Sequence, residues 1–174
     1  MSKENTTLII GLGNPILGDD GIGWVIAEEV KKKIKESPEL SLDEYDFMFL
    51  SLGGLSLMEQ MEGYSNVLII DSIHTGTNPN GTIFSLPLSR LPNLSSGHST
   101  AVHDTSLANA LKMGKMMNFI LPEEVWIIAI ETDEVYTFSE EISKIVSGII
   151  PKTLEIIIDS LGKKESQEQI IIPN

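Results

Sequence analysis

Two carboxylates and an imidazole stand at points of the sequence from which they could form one site. Asp20 lies in a glycine-rich loop, Asp71 follows four apolar residues, and His103 precedes a helical pattern. Carboxylate oxygens together with an imidazole nitrogen make a mixed donor set that suits a divalent transition metal. The same groups can act as general acids and bases in hydrolysis. Their spacing matches no sequential metal motif such as His-Glu-x-x-His, so only the fold can bring them together.

The chain has three histidines, and His103 is the best placed of them to serve as a ligand. It opens a predicted helix over 104–117, so its imidazole can point back over the edge of a sheet. His74 and His98 lie in predicted loops, which would hold a side chain less rigidly. Because His98 stands only five residues earlier in the sequence, it is the alternative to His103 as a ligand.

The loop at residues 11–23 is rich in glycine and would connect the first strand to the first helix. It departs from the dinucleotide-binding fingerprint, because Ile16 occupies the position of the third glycine. Two of its glycines have the spacing of a phosphate-binding loop, but Asp19 and Asp20 stand where lysine and a hydroxyl residue should follow. Two carboxylates would repel a phosphate, so the loop resembles a cradle whose charge suits a cation.

These acids also have ordinary structural interpretations. Aspartate is a preferred N-cap, and we interpret Asp19 as the cap of the first helix. For Asp20 the sequence leaves capping and ligand binding open. Asp71 could likewise cap a turn, but its predicted place at the same sheet edge as Asp20 favours a functional role.

The composition excludes several kinds of site and partner. The 174 residues include no cysteine, which excludes disulfides, cysteine–zinc sites, iron–sulfur clusters and a cysteine nucleophile. No Gly-x-Ser-x-Gly motif is present, so a serine nucleophile of that type is not indicated. There are 25 acidic residues against 12 Lys and Arg, a formal net charge of -13, which disfavours nucleic acid and anionic membranes as partners.

The sequence predicts neither a membrane span nor a secretory leader. No apolar run approaches the roughly 18–20 residues that a transmembrane helix needs. The first seven residues are polar apart from the initial methionine, without the long apolar region of a signal peptide. We therefore expect a cytoplasmic protein that is not attached to a membrane, and we expect it to be a monomer.

Strands and helices alternate along the chain, and these elements must position the candidate residues. Short apolar runs predict strands at 8–10, 45–50, 67–70, 82–86 and 125–130. Amphipathic periodicity predicts helices at 20–35, 54–62 and 104–117, and a last helical stretch that starts at a capping box over 137–140 and is divided at Pro151.

This order predicts an α/β fold, a three-layer α/β/α sandwich around a twisted, mostly parallel mixed sheet of about five strands. We expect a single domain over 1–162, a polar tail over 163–174, and one antiparallel strand beside the third strand. Ligands of such folds bind beyond the carboxyl ends of the strands. Asp20 and Asp71 are both predicted to lie at that edge.

Three segments resemble the motifs of one family, the nickel–iron hydrogenase maturation endopeptidases. Residues 11–23, which read Gly-Leu-Gly-Asn-Pro-Ile-Leu-Gly-Asp-Asp-Gly-Ile-Gly, resemble its N-terminal motif. Residues 67–71, an apolar strand that ends in aspartate, resemble its second motif, and residues 103–107, a histidine that introduces a helix, resemble its third. The three occur in the family's order, and the resemblance extends over residues 6–160.

The resemblance implies a twisted mixed sheet between helices and an aspartic-type endopeptidase. Members remove a short C-terminal peptide from the hydrogenase large-subunit precursor once nickel has been inserted. The family's metal-contacting and catalytic residues carry over to Asp20, Asp71 and His103. Nickel carried by the substrate would serve for recognition, and no tightly bound organic cofactor would be required. Whether the metal polarises the scissile carbonyl or a carboxylate orients the attacking water is left open.

Three other classes of protein share parts of this pattern. Peptidyl-tRNA hydrolases begin with a similar Gly-Leu-Gly-Asn-Pro loop, but this chain has no histidine before His74 and its charge suits tRNA badly. Phospho-accepting receiver domains have an acidic pair and an aspartate like Asp71, but Glu-Thr-Asp at 131–133 replaces the lysine that follows their last strand. A metal-binding scaffold without activity would share the fold.

Overall fold

The computed structural model describes residues 3–91, 99–133, 138–163 and 167–173, with residues 3–5 and 99–106 described by their backbone. The strands are β1 (Lys3–Leu12), β2 (Tyr45–Leu50), β3 (Tyr64–Ile73), β4 (Ile83–Pro87), β5 (Val125–Glu131) and β6 (Gln169–Ile171). The α-helices are α1 (Ile22–Glu36), α2 (Gly54–Gln60), α3 (Ser99–Met116), α4 (Lys144–Gly148) and α5 (Ile150–Lys163). Turns of 3-10 helix lie at Gly18–Gly21, Leu42–Glu44 and Leu88–Arg90.

The sheet is mixed and mostly parallel, as the sequence predicts. Its strand order is β2-β1-β3-β5-β4-β6, in which β2, β1, β3 and β5 run parallel. The strand β4 pairs antiparallel with β5 and not with β3, which corrects the expectation from the sequence. The reason is that α3 returns the chain across the sheet, so that β5 occupies the position next to β3 as a parallel neighbour.

The sheet has six strands, where the sequence predicts about five. The additional strand is β6, which comes from the segment that the sequence assigns to a polar tail. Ile171 and Ile170 pair with Ile83 and Phe84 on the free edge of β4. A three-residue strand is stable only where such an edge offers hydrogen-bond partners, and its presence therefore could not be read from the local sequence.

Helices cover both faces of the sheet and give the predicted three layers. Side chains alternate along β3, so that Ile69 faces one core and Ile70 faces the other. The first core includes residues of α2 and α3, and the second includes residues of α1 and α5. The helix α1 buries its predicted apolar stripe, which includes Ile26 and Val30. Among the described helices, none is both long enough and apolar enough to cross a membrane.

The last helical region is divided where the sequence predicts a division. Pro151 lies in the first turn of α5, where the missing N–H costs no helical hydrogen bond. The predicted capping box does not start this region, and its Thr137 lies outside the described residues. The hydroxyl of Ser143 caps α4 instead, accepting a hydrogen bond from the Val146 N–H at 3.4 Å. The helix starts late because the segment before it pairs with the loop after β1.

Candidate active site

The loop after β1 turns back on itself and fixes the carboxylate of Asp20. Gly13 has a φ of +119°, and a Cβ atom there would lie 1.9 Å from the backbone oxygen of Asp20, so only glycine permits this turn. The Asp20 Oδ2 atom accepts a hydrogen bond from the Asn14 N–H at 2.8 Å. Its Oδ1 atom accepts one from the Ser72 hydroxyl at 3.1 Å. The side chain is therefore held by its own loop and by β3.

Asp19 has a different role from its neighbour. It is buried, and its Oδ1 atom accepts a hydrogen bond from the Ser143 N–H at 2.6 Å. This contact fastens the loop after β1 to the start of α4. The interpretation of Asp19 as the N-cap of the first helix is wrong, because Gly21 holds that position in α1.

Asp71 is buried near the end of β3. The sequence predicts it directly after the strand, but β3 continues to Ile73 because Ser72 and Ile73 pair with Ile130 and Glu131 of β5. The Asp71 Oδ1 atom accepts a hydrogen bond from the Ser72 N–H at 2.8 Å. The strand therefore places this carboxylate rigidly at the edge of the sheet.

Ser72 connects the two carboxylates. Its N–H donates to Asp71 and its hydroxyl donates to Asp20, and the residue itself is buried. The fold thus brings Asp20 and Asp71 to a common neighbour, although they are far apart in the sequence. Sequence reasoning missed Ser72, and the signal that could have found it is a hydroxyl residue directly after the aspartate of an apolar strand.

The backbone of His103 lies in α3, but its side chain is outside the described residues, as is His98. The sequence predicts that His103 opens the helix, but the helix begins at Ser99, so residue 103 belongs to its second turn. Leu107, one turn later, packs in the same core as Ile69. Among the described side chains, no three His, Cys, Asp or Glu residues form a metal-binding cluster. The catalytic and metal-binding roles of Asp20, Asp71 and His103 stay predictions.

Glu131, at the end of β5, is buried like Asp19 and Asp71, and no sequence motif points to it. Its Oε1 atom accepts hydrogen bonds from the Thr75 N–H at 2.7 Å and the Gly76 N–H at 3.0 Å, and its Oε2 atom accepts one from the Thr75 hydroxyl at 2.7 Å. The neighbouring His74 donates from Nδ1 to the Thr132 carbonyl oxygen at 2.8 Å. Glu131 therefore holds the loop that follows Asp71 and Ser72.

We expect Glu131→Ala to lower the free energy of unfolding by about 2–3 kcal/mol, because it leaves two backbone donors without their acceptor. Urea unfolding followed by circular dichroism measures the change. The matched control is Glu124→Ala, which removes an exposed glutamate near the start of the same strand and should change stability by less than about 0.5 kcal/mol. Equal losses in the two variants would contradict this role of Glu131.

Comparison with known proteins identifies the family. The HycI family model of hydrogenase maturation proteases matches residues 45–160, which is more than half of the chain. The chain belongs to the hydrogenase maturation protease family. The matched region includes Asp71 and residue 103, and it begins after Asp20. Of the residues that the resemblance assigned, two therefore lie inside the part of the chain that the family model covers.

Individual relatives agree with this assignment. A putative hydrogenase maturation protease of Methanocaldococcus jannaschii is 28% identical over 166 residues, which cover 92% of this chain and 99% of that protein. The hydrogenase expression/formation protein HupD of Rhizobium leguminosarum bv. viciae is 23% identical over 151 residues, which cover 87% of this chain and 71% of that protein.

Solved structures of similar proteins share the fold. The hydrogenase maturating endopeptidase HybD of E. coli superposes with a TM-score of 0.72 at 21% identity, over 95% of this chain and 96% of that one. The [NiFe] hydrogenase maturation protease HybD of Thermococcus kodakarensis gives a TM-score of 0.65 at 21% identity, over 90% and 99% of the two chains. The α/β architecture of this maturation protease is therefore the architecture of these endopeptidases.

The family and the topology decide against two alternatives. A receiver domain has the strand order 2-1-3-4-5, whereas here β5 lies between β3 and an antiparallel β4. Membership of a protease family is also at odds with an esterase that acts on peptidyl-tRNA.

Proposed function

We propose that this protease removes the C-terminal extension of a [NiFe] hydrogenase large-subunit precursor after nickel insertion, and that it recognises the nickel that the substrate carries. The observation that carries the proposal is the pair of carboxylates, Asp20 and Asp71, joined through Ser72 at one edge of the sheet. The family assignment supports a protease of hydrogenase maturation. The arrangement of the two acids supports a site at which a cation can be contacted.

The donor set suits the nickel of the substrate. An ionised carboxylate has about four lone-pair positions, so Asp20 can accept its two hydrogen bonds and still contact a metal ion. Asp71 is held on a rigid strand, where it accepts a hydrogen bond from the Ser72 N–H. Side chains alternate along β3, so Ile69 and Asp71 lie on the same face of the sheet. The helix α3 packs on that face. Residue 103 of this helix would add an imidazole to the two carboxylates.

The proposed reaction is the hydrolysis of one peptide bond. A water oxygen attacks the scissile carbonyl carbon, the bond to nitrogen breaks, and the proton lost by the water goes to the leaving amine. Asp20 or Asp71 can orient the water and take its proton. The nickel of the precursor can polarise the carbonyl oxygen in the same step. Contact with the metal would make cleavage conditional on correct loading of the precursor.

Incubation of the protein with its precursor tests the proposal. We expect the nickel-loaded precursor to lose its C-terminal extension, which mass spectrometry of the product detects, and the nickel-free precursor to stay intact. Equal cleavage of both forms would contradict recognition through nickel. The proposed function would be contradicted if the protein failed to cleave a nickel-loaded precursor that another maturation protease does process. We also propose that the enzyme acts in the cytoplasm and that it is a monomer. Light scattering of the purified chain measures its molar mass and so tests the oligomeric state.

A further inference from the structure

Ser72 connects the two candidate carboxylates, but the proposed reaction assigns it no step. Its relative exposure is 4%, so its hydroxyl needs a partner inside the protein. That partner is Asp20, whose Oδ1 atom accepts the hydroxyl at 3.1 Å although the two residues are 52 positions apart in the sequence. An ionised carboxylate only accepts hydrogen bonds, so the proton between the two groups belongs to the serine. The contact is therefore a charge-assisted hydrogen bond, stronger than one between neutral groups.

The sheet explains why Ser72 can reach both acids. The pairing of β1 with β3 ends at Gly11 and Ile70, so Ser72 lies beyond it, where the loop after β1 begins. Side chains alternate along β3, so Ser72 lies on the face of Ile70 and α1, and Asp71 lies on the opposite face. The Ser72 hydroxyl can therefore donate to Asp20, just before α1, while its N–H donates to Asp71.

The hydrogen bond from Ser72 fixes the Asp20 carboxylate relative to the sheet. Its other donor among the described residues is the Asn14 N–H at 2.8 Å, which belongs to the same loop and moves with it. Asp20 is half-buried, so water can replace the Ser72 hydroxyl but cannot hold the carboxylate in one place. The loop backbone is fastened separately, by the hydrogen bond from the Ser143 N–H to Asp19. Loss of the Ser72 hydroxyl should therefore release the side chain of Asp20 and not the loop.

We propose that Ser72 is a positioning residue of the reaction, whose hydroxyl holds the Asp20 carboxylate in place relative to Asp71. The inference rests on the proposed function and adds to it the group that orients one of the two acids. A carboxylate can orient a water or contact a metal ion only from the correct distance and direction. A displacement of about 1 Å can slow a reaction about a hundredfold. Ser72 acts through Asp20 and takes no proton itself.

The variant Ser72→Ala removes the hydroxyl and keeps the backbone N–H that donates to Asp71. We expect kcat for processing of a nickel-loaded precursor to fall about ten- to a hundredfold, the usual loss when the hydrogen-bond partner of a metal-contacting group is removed. KM should change less than about threefold, because Asp20 keeps its charge and its attraction for the cation of the precursor. Steady-state kinetics, with the product detected by mass spectrometry, measure both constants.

Ser85 in β4 provides the matched control. It is buried, its hydroxyl donates to the Gln167 carbonyl oxygen at 3.1 Å, and its Oγ atom accepts from the Trp126 Nε1–H at 3.2 Å. The strand β5 separates β4 from β3, so Ser85 belongs to a different part of the sheet from Ser72. Ser85→Ala should leave kcat within about twofold, and thermal unfolding compares the stability of the two variants. A loss of kcat that only reflects a weakened sheet would occur in both.

A double-mutant cycle with Asp20→Asn tests whether Ser72 acts through Asp20. In that background Ser72→Ala should slow processing less than about twofold, because the group that it positions is already lost. The same fold-loss in both backgrounds would overturn this inference alone. An unchanged kcat for Ser72→Ala, or an equal loss with Ser85→Ala, would do so too. Failure of the unmodified enzyme to cleave any nickel-loaded precursor would overturn the proposed function, and the role of Ser72 with it.

Discussion

Replacement of Asp71 by asparagine is expected to slow precursor processing by at least about a hundredfold, the lower end of what general acid–base catalysis contributes. Asparagine keeps an oxygen that can accept the hydrogen bond from the Ser72 N–H, so β3 should be undisturbed. It removes the negative charge with which Asp71 would contact nickel or accept a proton. Single-turnover processing of the nickel-loaded precursor, followed by mass spectrometry, measures the rate.

Asp20→Asn and His103→Ala should slow processing to a similar extent if the three residues act as one set. In such a set, removing one member can cost about as much activity as removing all of them. The matched control is Asp19→Asn. Asp19 is adjacent to Asp20 and its carboxylate also accepts a hydrogen bond, but the donor is the Ser143 N–H directly before α4. We expect Asp19→Asn to retain activity within a few-fold. Full activity of Asp71→Asn, or an equal loss with Asp19→Asn, would contradict the assignment of roles.

The sequence predicts the sheet well where the strands are apolar on both faces. The run at 67–70 indicates β3, since a strand covered on both faces has such a continuous apolar pattern. Its continuation through Ser72 and Ile73 depends on pairing with β5, which is distant in the sequence. The strand β6 was missed for the same reason, because its pairing partner is the edge of β4.

The types of the site residues were predictable, but their supports were not. Asp20 lies in a glycine-rich loop and Asp71 follows an apolar run, and both features are visible in the sequence. Ser72 and Glu131 lie inside or at the end of strands, and only the structure shows that they are buried and hydrogen-bonded. The start of α3 was placed five residues too late, because the β-branched and hydroxyl residues before His103 are weak helix formers that tertiary packing overrides.

Gly23→Ala is expected to lower the free energy of unfolding by about 3–5 kcal/mol, at or above the upper end of the cost of overpacking a core. Gly23 is the second residue of α1 and lies directly on the sheet. A Cβ atom there would be 2.3 Å from the carbonyl oxygen of Leu12 and 2.3 Å from that of Ile70. Both contacts are backbone atoms of paired strands, so neither can move aside as a flexible side chain could.

The consequence of Gly23→Ala should reach the candidate site as well as the core. Leu12 ends β1 directly before the loop that holds Asp20, and Ile70 directly precedes Asp71. The helix can admit a methyl group only by moving away from both strands, which separates the two carboxylates. Gly162→Ala in α5 is the control, because a Cβ atom there meets no described atom within 4 Å, and it should be neutral or up to about 1 kcal/mol stabilising. Urea unfolding of both variants measures the difference in the free energy of unfolding. If the Gly23→Ala protein were as stable as the Gly162→Ala protein, α1 would not be packed directly against these strands.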